Sequence, residues 1–209
     1  MVKQASIHMR TRAPLNAARR PVRPRQRDPR ALGRQDWIDA ARRMLIAKGV
    51  ERVRVDALAR TLKITRGSFY WHFPSRSAVL DALLEDWRVR NTAPFLAAAA
   101  DERRSGEEKF RALVDIWLDE SEYDPAYDAA IREWARTSAR VANLVRRVDR
   151  RRIDLLAKIC LDLGYDPQEA EIRARITYFH QVGYYALGLR ESDRIRRKLA
   201  PIYTRVLLG

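Results

Sequence analysis

The sequence predicts an all-α fold in two parts, and three observations carry that reading. From Arg34 onward, apolar residues recur at spacings of three and four, which places them on one face of a helix. Residues that start and stop helices punctuate these segments. No segment alternates apolar and polar residues as a half-buried strand does, and no internal repeat is visible.

Composition sets the outer bounds. The chain has 209 residues and 46% hydrophobic content, enough for a real core. No window approaches 18 apolar residues, so no membrane span is expected. The basic N-terminus has no apolar run behind it and does not read as a secretory signal; a cytoplasmic location is expected. Cys160 is the single cysteine. It excludes an internal disulfide and a cysteine-based zinc site. Two readings of it stand, a small buried apolar residue and a redox sensor.

The net charge of +15 is unevenly placed. Residues 1–33 hold nine Lys/Arg against one acid, and residues 34–90 hold twelve against seven. Residues 91–209 hold twenty-one against nineteen and are close to neutral. A basic end beside a near-neutral remainder suits a module that binds a polyanion.

In chain order, residues 1–33 carry four prolines and read as a disordered basic arm, within which Met9 is a candidate start. The arm either follows a polyanion groove or adds only non-specific, salt-sensitive affinity. A first helix spans Arg34–Lys48 with Ile38, Ala41 and Leu45 on one face, closed by Gly49. A second carries Val55, Leu58, Ala59 and Leu62. After a break at Lys63-Ile64, a third starts with Thr65 as N-cap and stops at Phe73-Pro74. A fourth runs from about Ser75 to Arg90. Asn91–Pro94 is a candidate domain joint.

Further helices follow. Phe110, Leu113, Val114, Trp117 and Leu118 mark one. Asp124-Pro125 opens another. Val141, Leu144, Val145, Val148, Leu155 and Ile159 mark a long one. Asp166-Pro167 opens a helix whose stripe is Ile172, Ile176, Phe179, Gly183 and Leu187. Ser192 caps a last helix with Ile195, Leu199, Ile202 and Val206. About nine helices are expected.

The informative stretch is Arg54–Arg76. Two short helices joined by a tight turn form a helix-turn-helix, whose second helix enters the DNA major groove. At 100° per residue, Phe69 and Phe73 share one face and anchor the third helix. Gly67 and Trp71 fall opposite, flanked by Ser68 and Tyr70. An exposed Trp-Tyr pair is costly in water without a partner. Arg54, Arg66 and Arg76 supply charge, and Thr65, Ser68 and Tyr70 supply neutral donors. His72 either meets DNA or packs beside the fourth helix. Arg66 pairs with guanine or with phosphate.

The run T-R-G-S-F-Y-W-H-F-P-S-R, after an amphipathic helix and a glycine-ended first helix, resembles the DNA-binding domain of the tetracycline-repressor (TetR) family. The resemblance covers about residues 34–82. It implies DNA contacts at Arg66, Gly67, Ser68, Tyr70, Trp71, His72 and Arg76, and a fourth helix that links to a sensor domain, residues 83–209. It also implies repression as the mode of control and dimerisation through the last two helices. Two positions depart from the pattern. Arg54 stands where a capping Thr or Ser is usual, and Lys63 stands where the turn usually has Gly, at the cost of some strain if φ is positive.

In residues 95–185 aromatics are dense, and apolar pockets between helices are where small ligands bind. Trp117, Trp134 and His180 are candidate contacts for an unknown small-molecule effector, since each joins bulk to a hydrogen-bonding atom. The same aromatics at helical spacing also suit plain core. Arg152 interrupts an apolar stripe and needs a partner, either a ligand carboxylate or an internal salt bridge, unless it snorkels. The last two helices present long apolar stripes, suited to a homodimer or to an intramolecular core. The leading expectation is a dimeric regulator that binds double-stranded operator DNA and is released by its effector. A non-specific DNA-binding protein and a helical enzyme are the rivals. No glycine-rich phosphate loop or nucleophile elbow is present, so no cofactor, metal or catalysis is expected.

Overall fold

The structure is a computed structural model that describes residues 32–189 and 191–209. The expected basic arm and Met9 therefore lie outside the described residues, apart from Leu32 and Gly33. Ten α-helices and one 3-10 turn, Val50–Arg52, make up the described residues, with no strand among them. The all-α expectation holds.

The first four helices are α1 (Arg34–Lys48), α2 (Val55–Leu62), α3 (Arg66–Tyr70) and α4 (Arg76–Arg90). Gly49 closes α1 at φ 77°, with its N–H bonded to the Leu45 carbonyl. Lys63 closes α2 in the left-handed region at φ 57°, ψ 41°, so the strained form of the turn is the one present. Helix α3 is shorter than the sequence reading. It ends at Tyr70, and the N–H groups of His72 and Phe73 both reach the Phe69 carbonyl. Pro74 is the reason: it disfavours a helical conformation at Phe73, so the last turn cannot extend.

The remaining helices are α5 (Ala93–Ala100), α6 (Gly106–Asp119), α7 (Pro125–Thr137), α8 (Ala139–Asp162), α9 (Pro167–Ala186) and α10 (Asp193–Leu208). Helix α5 has no counterpart in the sequence reading. Its residues, A-P-F-L-A-A-A-A, have no polar face and so no amphipathic stripe, yet alanine favours helix and proline suits its first turn. The Asp124 and Asp166 side chains accept from backbone N–H groups at the starts of α7 and α9, as their sequence signals imply. Ser192 occupies the N-cap of α10 without a side-chain bond.

The core forms two clusters. One joins Trp37, Leu45, Leu58, Phe69, Phe73, Val79, Leu83 and Trp87 to Tyr127, Ile131, Val141, Val145 and Val148. The support for α3 thus continues into α7 and α8. The other gathers Phe95, Phe110, Leu113, Trp117, Tyr123, Leu156, Ile159 and Tyr178. On α8, Leu156 is the fully buried core residue, with Leu155 partly buried against the same cluster. The Asn91–Thr92 joint is buried, with the Asn91 amide donating to the Asp124 carbonyl at 2.9 Å.

Helix α9 turns its stripe outward. Ala170, Ala174, Thr177 and Tyr178 face the core, while Ile172, Ile176, Phe179 and Leu187 are exposed. On α10, Ile195, Ile202, Tyr203 and Val206 are exposed as well, and no residue of that helix is fully buried.

Candidate nucleic-acid interface and effector cleft

Five residues of helix are too few to be stable alone. What holds α3 is Phe69, fully buried, edge-on to Trp37 at 5.2 Å and stacked on Phe73 at 5.5 Å. With that face fixed, the opposite face must point outward. Trp71 is 88% exposed and Tyr70 49% exposed. A Cβ added at Gly67 would meet only the Thr65 hydroxyl, at 3.7 Å, so the space in front of its backbone is open. Thr65 is the N-cap by backbone conformation, but its hydroxyl lies 3.1 Å from that of Ser68 rather than capping a backbone N–H.

Charge surrounds this tip. Arg66 donates to the Tyr70 hydroxyl at 3.3 Å and lies 3.5 Å from the Asp56 carboxylate, with both ion-pair partners well exposed. Such a pair is weak in water and readily exchanged for phosphate. The hydrogen bond from Arg66 to Tyr70, with Asp56 nearby, holds the guanidinium pKa above its usual value. Arg54 is exposed, and its Nε donates to the Glu51 carbonyl. Arg60 and Lys63, exposed at the end of α2, extend the basic surface; only the turn chemistry at Lys63 stood out in the sequence.

Arg76 and His72, both expected at the DNA contact, are partly buried. The Arg76 guanidinium donates to the Val53 carbonyl at 2.6 Å and to the Val50 carbonyl at 2.8 Å. It pins the segment before α2, because these carbonyls lie in and just past a single 3-10 turn, where backbone donors run short. His72 is half-buried with its ring 6.5 Å from Trp37. The tip left facing outward is Arg54, Thr65, Arg66, Gly67, Ser68, Tyr70 and Trp71.

The four effector candidates do not form one site. Trp117 and His180 line a small cleft of about 70 Å³, partly open to solvent, between α6, α9 and α10. Trp134 lines a separate groove between α1 and α7. Arg152 is enclosed, at 4% exposure. Its guanidinium reaches Asp128 at 3.2 Å, the Asn91 carbonyl at 2.9 Å and the Tyr178 hydroxyl at 3.3 Å. Asp128 also accepts from Arg132 at 2.7 Å and from the Trp87 indole at 3.0 Å. Burial opposes ionisation of Asp128, but Arg152 and Arg132 outweigh it and hold the carboxyl below the usual range. The geometry favours the internal salt bridge over a ligand carboxylate. Burial raises the Cys160 thiol pKa, which keeps it protonated and unreactive. Of the cleft's other polar groups, Gln181, Glu191 and Arg196 went unseen in the sequence, since only the packing of α9 on α10 brings them together.

A short helix anchored by two phenylalanines, with a bare aromatic tip and a basic rim, defines a helix-turn-helix protein of the DNA-binding class. The family model for bacterial regulatory proteins, tetR family, matches residues 38–83. Within these residues the chain carries a helix-turn-helix domain of the tetR type. It is 45% identical over 51 residues to the HTH-type transcriptional regulator SrpR of Pseudomonas putida, a match covering 24% of each chain. It is 34% identical over 68 residues to the HTH-type transcriptional regulator TtgR, also of Pseudomonas putida, covering 32% of this chain and 31% of that one. The chain thus spans about a quarter to a third of the length of these curated relatives. A TetR-family transcriptional regulator from Streptomyces coelicolor aligns with a TM-score of 0.70 at 17% identity, over 84% of this chain and 87% of that one. A TetR-like regulator from Rhodococcus sp. RHA1 aligns with a TM-score of 0.62 at 22% identity, over 84% of this chain and 95% of that one. These likenesses extend the fold well beyond the matched domain. No described helix is long and apolar enough to cross a membrane.

Proposed function

We propose that the chain is a homodimeric transcriptional repressor that binds operator DNA through residues 34–82 and loses it when residues 83–209 bind a small molecule. The exposed Tyr70-Trp71 tip beside an open Gly67 backbone carries the reading, because a surface with that much bare aromatic area and a basic rim suits the wall of a DNA groove. The outward stripes of α9 and α10 support a two-fold dimer. Its two copies of α3 would stand about one DNA turn apart, roughly 34–36 Å, over a palindromic site. A Cβ at Gly183 would meet nothing within 4 Å, so that face leaves room for close approach by a partner helix.

Release requires a link from sensor to α3, and α4 supplies it. The Tyr127 hydroxyl donates to the Leu83 carbonyl at 2.7 Å, and the Trp87 indole donates to Asp128. A ligand that favours one placement of α7 and α8 thereby tilts α4 and the spacing of the two α3 tips. The test is binding of the full chain to duplexes from its own promoter region under rising salt. Preference for one duplex over bulk DNA by about tenfold or more supports the reading; equal affinity for all duplexes replaces it with non-specific binding.

A further inference from the structure

The cleft between α6, α9 and α10 has a chemistry that selects its occupant. Its walls are apolar and aromatic, from Trp117, Leu118, Tyr184, Tyr203 and Leu207. Arg196 lines it but is already committed. Its guanidinium pairs with Glu120 at 2.6 Å, donates to the Trp117 carbonyl at 2.6 Å and lies over the Tyr184 ring at 5.3 Å. An anionic ligand would have to displace that carboxylate. Glu191 lines the same cleft, and its carboxylate has no hydrogen-bond or ion-pair partner among the described residues. The Gln181 amide nitrogen is buried there without an acceptor. A buried donor left unmatched is unfavourable until something supplies an acceptor. The His180 ring lies 4.6 Å from that of Tyr203, and burial lowers its pKa, leaving it neutral near pH 7. Glu191, exposed to solvent, is therefore the one charged group lining this cleft without an ion-pair partner among the described residues.

The geometry points to a small organic cation as the ligand of this cleft, with an aromatic body, an ammonium group toward Glu191 and a hydrogen-bond acceptor for Gln181. Aromatic faces and a carboxylate both favour an ammonium group, and neither favours a carboxylate ligand. The inference names the effector class and rests on the repressor reading for its consequence on DNA, though the binding itself does not.

Calorimetric titration of the full chain without DNA tests it. The probes are procaine, which has an aromatic ring, an ester carbonyl and an ammonium group, and hippurate, which pairs a ring and a carbonyl with a carboxylate. Saturable procaine binding is expected, with hippurate weaker by about tenfold or more. Glu191→Gln should weaken procaine about fivefold to tenfold, as should Gln181→Leu. Gln181→Leu removes an unmatched amide, so its melting temperature should be unchanged or higher, which separates a ligand contact from a structural role. No saturable procaine binding, hippurate binding as well as procaine, or two variants that bind like the parent would each overturn the proposal. Operator binding by the unliganded chain is scored separately, so either reading can fail while the other stands.

Discussion

Two parts of the chain leave large apolar side chains in water, the tip of α3 and the outer face of α9 and α10. At the tip, Tyr70 and Trp71 stand among Arg54, Lys63 and Arg66 with the hydroxyls of Thr65 and Ser68. On the outer face, Ile172, Ile176, Phe179, Ile202 and Val206 recur over many turns. On α9, Arg175 pairs with Glu171 at 2.6 Å, and on α10, Arg196 and Arg197 pair with Glu120 and Asp119 at the end of α6. Exposure alone does not name a partner; its company does. A small aromatic patch in a basic, donor-rich rim suits a wet polyanion. A long apolar stripe suits a dry, self-complementary interface.

Breaking the outer face should have the largest effect. The double variant Ile176→Glu and Phe179→Glu should convert a dimer to a monomer in analytical ultracentrifugation and weaken operator binding by about 100-fold or more. Its melting temperature should change little, because both side chains are exposed within one protomer. A persisting dimer would break the comparison at that end. At the tip, Trp71→Ala and Gly67→Ala should each leave the fold intact and weaken operator binding about 10-fold to 100-fold in fluorescence anisotropy. A fall in melting temperature without loss of affinity would return Trp71 to the fold.

Two arginines divide between the DNA-facing rim and the fold. Arg66→Ala should lower the slope of log affinity against log salt by about 1 while sparing stability. Arg76→Ala should do the reverse, costing about 1–3 kcal/mol in denaturant unfolding and leaving the slope unchanged, since it takes a charged donor away from two backbone carbonyls. The smallest effect is expected at the turn: Lys63→Gly should raise stability by about 1 kcal/mol by removing a side chain from the left-handed region.

The fold was largely legible because amphipathic helices announce themselves. Helix α5 was not, since an alanine-rich segment with no polar face carries no periodic signal. The α3 anchor was legible from the four-residue spacing of Phe69 and Phe73, and with it the bare side at Gly67 and Trp71. At Arg76 the sequence shows a charge but not the carbonyls within its reach. The cleft between α6, α9 and α10 was half-legible: Trp117 and His180 stand out as residue types, whereas Glu191 and Gln181 gain meaning only from what their neighbours leave unpaired. Arg152 shows the converse, since its place in an apolar stripe announced a partner that the sequence could not name as Asp128.

In the proposed dimer, two copies of the α3 tip read DNA together. Selection of the full chain against a random duplex library, followed by hydroxyl-radical footprinting of the winners, tests it most directly. The account predicts a palindromic sequence protected at two half-sites about one helical turn apart, with protection lost in Trp71→Ala. Enrichment of no sequence above bulk, or of a single unpaired half-site, would contradict it.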